Sequence, residues 1–262
     1  MRGRNPAVLL LVAGCWLLVK HYFFCQHLHK GLTVSALYCH LGLLAYQAAH
    51  DLQTSLVQRR RRGELDQDLF LITEHPPVFT LGRRGTRNHL LVSEAFLSHE
   101  GIRVVPIERG GDITYHGPGQ LVLYPIIDLR QAGLSATGYV TKLEELMLRI
   151  AADWNITANR DPRNRGIWVG DKKLGSVGIA IRHGIAFHGL ALNVNPSLTP
   201  FGWINPCGLS GVEMTSIAKE TGQEATLAKV LSRLIHHLKD IFNRDFKETT
   251  KEPFVLAVPE VP

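Results

Sequence analysis

Cysteine is scarce in the body of this 262-residue chain. Three of the four cysteines (Cys15, Cys25 and Cys39) fall in the first forty residues, and Cys207 stands alone beyond them. No disulfide framework can stabilise the body, which fits a reducing compartment. Acidic residues are missing from residues 1–50, where Arg2, Arg4, Lys20 and Lys30 supply +4 of the net +6. Residues 51–262 keep only +2, too little to argue for nucleic acid, and no nucleic-acid partner is expected. CxxC and HExxH are absent, so no metal is expected. GK[ST] is absent, so no phosphate loop is expected either. Internal repeats and low-complexity tracts are also lacking. The apolar run at residues 7–19 falls short of the roughly 20 residues that a membrane span needs.

What is present is globular. Apolar residues make up 45% and charged residues 20%, which allows a normal core and argues against long disorder. Residues 1–33 read as an N-terminal extension. With Arg2 and Arg4 before the apolar run, they suit a secretory signal. Basic and acid-free, they also suit an organellar presequence; a misassigned or isoform-specific start is the third reading.

Residues 41–62, "LGLLAYQAAHDLQTSLVQRRRR", read as an opening helix whose arginines sit at the negative end of the dipole. The four arginines read as a solvated helix end, with a docking patch for an acidic partner as the alternative. "DLFLIT", "VFTLG", "IRVVPI" and "QLVLYPIIDL" read as strands. Val140, Leu143, Met147, Ile150 and Trp154 step by helical spacing, as do Leu227, Val230, Leu231, Leu234, Leu238 and Ile241. "GIWVGDKKLGSVGIAI" reads as a hairpin turning at Gly170-Asp171, and "IAFHGLALNVN" as a buried strand. Residues 247–262 read as a C-terminal tail. The mixture lacks strict alternation, so the expected class is α/β of the α+β kind, with a mixed sheet.

Three segments could carry chemistry. The first is "ERGGDITYHGPGQLVLYP", residues 108–125, where glycines let backbone approach a ligand; a tight loop is the plain alternative. In the second, Lys172 and Lys173 are adjacent on a strand and must face opposite sides. An inward lysine would be desolvated and usable as a base. Spacing alone favours both lysines in water at the hairpin tip. His116 and His188 sit in glycine-rich contexts and read as core or positioning residues. The third segment is "WINPCGLSG", residues 203–211. Cys207 is flanked there by Pro206 and Gly208 rather than by an apolar run, so a nucleophile and a packed thiol stay equally open.

"RGGDITYHGPGQLVLYP", "KKLGSVGIAIRHGIAFHGLALNVN" and "INPCGL", in this order and spacing, resemble the lipoyl(octanoyl) transferases, and the resemblance extends over about residues 34–245. The resemblance implies a biotin/lipoate protein ligase-like catalytic domain, a mixed sheet with flanking helices, over residues 34–246. It implies an acyltransferase that moves octanoate from octanoyl-acyl carrier protein to Cys207 as a thioester. From there the acyl group passes to the lysine of a lipoyl domain, as the first step of protein lipoylation. Glycine cleavage H protein and 2-oxoacid dehydrogenase E2 subunits are the implied acceptors. Lys173 would lower the pKa of Cys207, and no cofactor is implied. Substrate contacts would come from Arg109, Gly110, Gly111, Asp112, Ile113, Thr114, Tyr115 and His116. A second group would be Ser176, Val177 and Gly178, and a third Gly189, Leu190 and Ala191. Backbone N–H groups near Gly110, Gly111 or Gly178 are our own candidates for holding the thioester oxyanion. The resemblance also moves the reading of residues 1–33 towards a mitochondrial presequence, with a cytoplasmic bacterial enzyme as the alternative. Two further functions stay open: an ATP-dependent lipoate-protein ligase of the same fold, and a non-catalytic binder of acyl chains or lipoyl domains.

Overall fold

The computed structural model describes residues 35–205, 211–223 and 225–250. The N-terminal extension, Cys207 and residues 251–262 lie outside them. The chain begins with β1 (Ala36–Leu43), α1 (Tyr46–Arg61), β2 (Leu69–Glu74) and β3 (Val78–Leu81). Then come α2 (Glu94–His99), β4 (Arg103–Pro106), β5 (Ile113–His116), β6 (Gln120–Asp128) and α3 (Ala136–Asp153). It closes with β7 (Gly166–Val169), β8 (Lys172–Arg182), β9 (Ile185–Asn193), α4 (Ile217–Thr221), α5 (Leu227–Phe242) and β10 (Phe246–Glu248). The main sheet has the order β10-β1-β2-β6-β9-β8-β7, and a small sheet has the order β4-β3-β5. β10, β1 and β2 run parallel and the remaining neighbours of the main sheet antiparallel, so the sheet is mixed. This is the expected α+β architecture. Among the described residues no helix is long and apolar enough to cross a membrane.

The central strands are apolar without alternation because both faces of the sheet are covered. On one face Phe70, Ile72, Leu121 and Leu123 meet Leu143, Met147 and Ile150 of α3 and Val230, Leu234 and Leu238 of α5. On the other, Leu69, Leu71, Val122 and Tyr124 meet Ala49, Leu52 and Leu56 of α1. Both helical stripes read from the sequence therefore face the core.

Three readings change. The segment read as one helix from Leu41 begins instead as strand: β1 runs through Leu43, and the helix starts at Tyr46. Apolar residues at the junction suit either element, and pairing of β1 with β2 decides the matter. The arginine run is not wholly solvated. Arg61 and Arg62 are exposed, but Arg60 donates to Leu65 O at 2.7 Å and to the buried Asp68 at 3.1 Å. The segment read as a tail contributes Lys247 and Glu248 to β10.

Pro125 lies within β6, opposite Phe70 of β2. It has no N–H to give, and the β6–β9 ladder skips from Leu123↔Leu190 to Ile127↔Ala186. Inside that gap His188 adopts φ +54°, and its N–H turns to Gln53 Oε1 of α1 at 2.8 Å. The interruption aims the His188 side chain at the α1 side of the sheet.

Candidate active site

The sheet gap, the loop before β5 and the hairpin strands β8 and β9 enclose a cleft of about 540 Å³, counting its open mouth. Thirteen of the fourteen residues implied as substrate contacts line it: Arg109 to Thr114, His116, Ser176 to Gly178 and Gly189 to Ala191. Three separate stretches of sequence thus converge on one space. Tyr115 does not line it. Side chains alternate along β5, so Tyr115 packs the other way, against Phe79 and Phe201 with ring centres 5.4 and 5.3 Å apart. Tyr46, Val122, Tyr124, Asn164 and His188 complete the wall. No motif marked Tyr46 or Asn164, because helix and loop bring them in from distant sequence.

Hydrogen bonds hold several buried polar groups of the cleft floor in place. The buried Arg109 guanidinium donates to Thr80 O at 2.7 Å and Thr80 Oγ1 at 2.9 Å. Gly111 holds φ +91°, a left-handed conformation that glycine adopts at little cost. Gly110 N–H donates to Ile179 O at 2.9 Å. It is therefore occupied, which removes Gly110 from the oxyanion candidates.

His116 Nδ1 donates to Gln120 Oε1 at 2.7 Å; Gln120 Nε2 donates to Asn193 Oδ1 at 2.8 Å, and Asn193 Nδ2 to Thr215 O at 2.9 Å. Burial pushes the imidazole of His116 down to about 3. His75 lies beside it, donating from Nδ1 to Leu44 O at 2.7 Å and accepting from Tyr124 Oη at 2.8 Å. Burial pushes His75 down to about 4. Its neutral form is the folded form, so its stability contribution is complete above the unfolded value of about 6.5. The contribution is lost as pH falls from there towards 4. Thermal melts across that window should show a decline of the order of 3 kcal/mol from this group. A His75→Gln variant should show a shallower acid slope; an unchanged slope would refute the assignment.

Lys173 is fully buried at the start of β8, while Lys172 is half-exposed with Nζ 3.8 Å from Glu220. The reading that put both lysines in water is corrected: pleating turns Lys173 inward opposite Trp168. Its Nζ donates to Asn164 Oδ1 at 2.6 Å and stands 5.2 Å from the Trp168 ring centre. Asn164 also lines the cleft, so Lys173 Nζ sits one side chain from the cavity. Lys173 N–H donates to Glu213 O at 2.8 Å, and Thr215 N–H donates to Lys173 O at 2.9 Å. The strand stretch that follows the Pro-Cys-Gly segment is thereby laid against Lys173. Its other flank is fixed where Asn205 N–H donates to His89 O at 2.9 Å.

Beside the cleft, His50, Glu108 and His188 come together from α1, the loop before β5 and β9. Glu108 Oε2 lies 2.8 Å from His50 Nε2 and 3.7 Å from His188 Nε2, and Oε1 lies 3.2 Å from Arg182. His188 first, and His50 with it, hold the Glu108 carboxyl well below the usual carboxylate range. Burial lowers His188 itself. The trio has no short-motif signature, since its members are 58 and 80 residues apart.

Comparison with known proteins places this geometry. Residues 45–239 match the lipoyl protein ligase A/B catalytic domain. The octanoyltransferase of Desulfotalea psychrophila is 54% identical over 204 residues, covering 77% of this chain and 92% of the relative. That of Syntrophobacter fumaroxidans is 47% identical, covering 80% of this chain and 92% of the relative. Among solved structures, a lipoate-protein ligase A bound with ATP superposes with TM-score 0.67 at 16% identity, covering 82% of this chain and 89% of the other. That likeness speaks for the fold alone. The chain therefore belongs to the octanoyltransferases of the lipoyl protein ligase A/B catalytic-domain family.

Proposed function

We propose that the protein takes octanoate from octanoyl-acyl carrier protein onto Cys207 and passes it to a lipoyl-domain lysine. The observation that carries this reading is Lys173, buried beside the cleft with its Nζ on the cleft residue Asn164. A lysine amine in its neutral form can take the Cys207 proton. The thiolate attacks the octanoyl thioester carbonyl, and the carrier thiol leaves and recovers a proton. The lysine amine of the acceptor then attacks the enzyme thioester, forms the amide and returns the thiol. Thioester exchange is near balanced and amide formation runs downhill, so ATP is not needed.

The cleft supports an acyl substrate. Val122, Val177, Leu190 and Ala191 offer apolar wall, and each methylene buried against it contributes about 0.8 kcal/mol. The relatives' names support the octanoyl group. Lipoyl domains of H protein and of 2-oxoacid dehydrogenase E2 subunits are the proposed acceptors. The named relatives are bacterial, which favours the cytoplasmic alternative over the mitochondrial expectation.

Intact mass after mixing the protein with octanoyl-acyl carrier protein, without ATP, tests the reading. One octanoyl adduct, removed by hydroxylamine and absent from Cys207→Ala, is expected. Lipoyl-domain modification that needs free octanoate and ATP, with indifference to Cys207→Ala, would instead make the chain a ligase.

A further inference from the structure

We propose that His50, Glu108 and His188 form a binding site for one divalent transition-metal ion of the zinc class. The ion would take no part in the acyl transfer itself and would clamp helix α1 to the cleft wall. Two imidazoles and a carboxylate are the ligand set that zinc and its neighbours prefer. The three ligand atoms all lie within 4.8 Å of one another. Ligands at about 2.1 Å from one ion at tetrahedral angles stand about 3.4 Å apart. The observed Glu108 contacts, 2.8 and 3.7 Å, bracket that spacing.

A second observation points to a ligand independently. Nε2 of His188 is buried, and it has no hydrogen-bond partner among the described residues. The residue carrying it is 1% exposed and holds φ +54°. An imidazole nitrogen that makes no hydrogen bond, in a buried, backbone-strained residue whose nearest charged neighbour is the Glu108 carboxylate, is costly unless something occupies it. It faces the carboxylate at 3.7 Å, too far for a hydrogen bond and right for two ligands of a shared ion. The outer shell is also in place. Arg182 engages Glu108 Oε1, so an ion would take Oε2 in place of its 2.8 Å hydrogen bond with His50 Nε2, and Gln53 fixes the His188 backbone. His50 and Glu108 side chains are 20% and 21% exposed, which gives an entry path and room for a water as fourth ligand.

The consequence is positional. Glu108 directly precedes Arg109 and Gly110 of the cleft, and His188 lines the cleft itself. An ion held here ties both to α1.

Zinc binding measured by titration calorimetry on the untagged full chain, with cobalt(II) absorption as the spectroscopic probe, tests the site. One ion per chain is expected, with a cobalt spectrum of nitrogen and oxygen ligation and without a thiolate charge-transfer band. Glu108→Gln and His50→Gln should each weaken binding by about 100-fold, and Arg182→Ala by about 10-fold, as loss of an outer-shell partner does. Circular dichroism establishes that each variant is folded, and the two ligand variants serve as independent checks. Absence of zinc and cobalt binding by the parent chain would overturn the proposal. So would unchanged affinity in a folded ligand variant, or a thiolate band that disappears with Cys207→Ala.

Discussion

Replacing Lys173 by methionine is expected to slow formation of the octanoyl adduct by about 10²- to 10⁴-fold at neutral pH, the usual range for loss of a positioned base. A free thiol with a pKa of about 8.5 is mostly protonated there and attacks slowly. The adduct rate of Lys173→Met should therefore recover in part as pH rises and the thiol ionises unaided. Methionine roughly fills the buried volume, but it leaves Asn164 Oδ1 without the donor now at 2.6 Å. That loss costs about 1–3 kcal/mol of stability, which thermal melts measure separately from rate. Lys173→Arg divides the role further, because arginine keeps the charge but does not give up its proton. A slow Lys173→Arg would identify proton transfer as the missing function. A Lys173→Met enzyme with parental rate and parental pH profile would show that the buried lysine serves packing alone.

Gly189→Ala is expected to destabilise the fold by more than about 3 kcal/mol, beyond the ordinary cost of overpacking. A Cβ at Gly189 would stand 2.1 Å from Leu123 O and 2.9 Å from Pro125 Cδ. Neither can move aside: one is backbone and the other is a ring in the strand between β2 and β9. Gly170→Ala is the control. Its Cβ would meet nothing within 4 Å, and only its φ of +56° resists the side chain. That conformational cost is about 1–2 kcal/mol. Denaturant unfolding of the two variants should separate them clearly. If Gly189→Ala matched Gly170→Ala, the close approach of β9 to β6 at Pro125 would be wrong.

The two sites differ in how far they could be read from residues. The glycine-rich segment at 108–125 and the strands around Ser176 and Gly189 were marked by composition and by resemblance to the family. Thirteen of their implied contacts do share one cleft. Tyr115 fell inside the same segment and points elsewhere, because a strand sends neighbouring side chains to opposite faces. The same rule buried Lys173 while leaving Lys172 half-exposed, and spacing at a hairpin tip had favoured water for both. Pleating made it certain that one lysine would face away from the other. Which one turned inward depended on the register between β7 and β8, a property of two strands together.

By itself the sequence determined the covered core strands, the helical stripes of α3 and α5 and the turn at Gly170, all set by local periodicity or by local backbone freedom. Its three motif blocks also determined the family. Tertiary structure alone decided that residues 36–43 form a strand, since an apolar run becomes β only when a partner accepts its hydrogen bonds. It alone brought Asn164 to Lys173, Gln53 to the His188 backbone, and His50 and His188 to Glu108. These contacts span long stretches of chain. Their energies depend on distance in space, which no spacing along the sequence encodes.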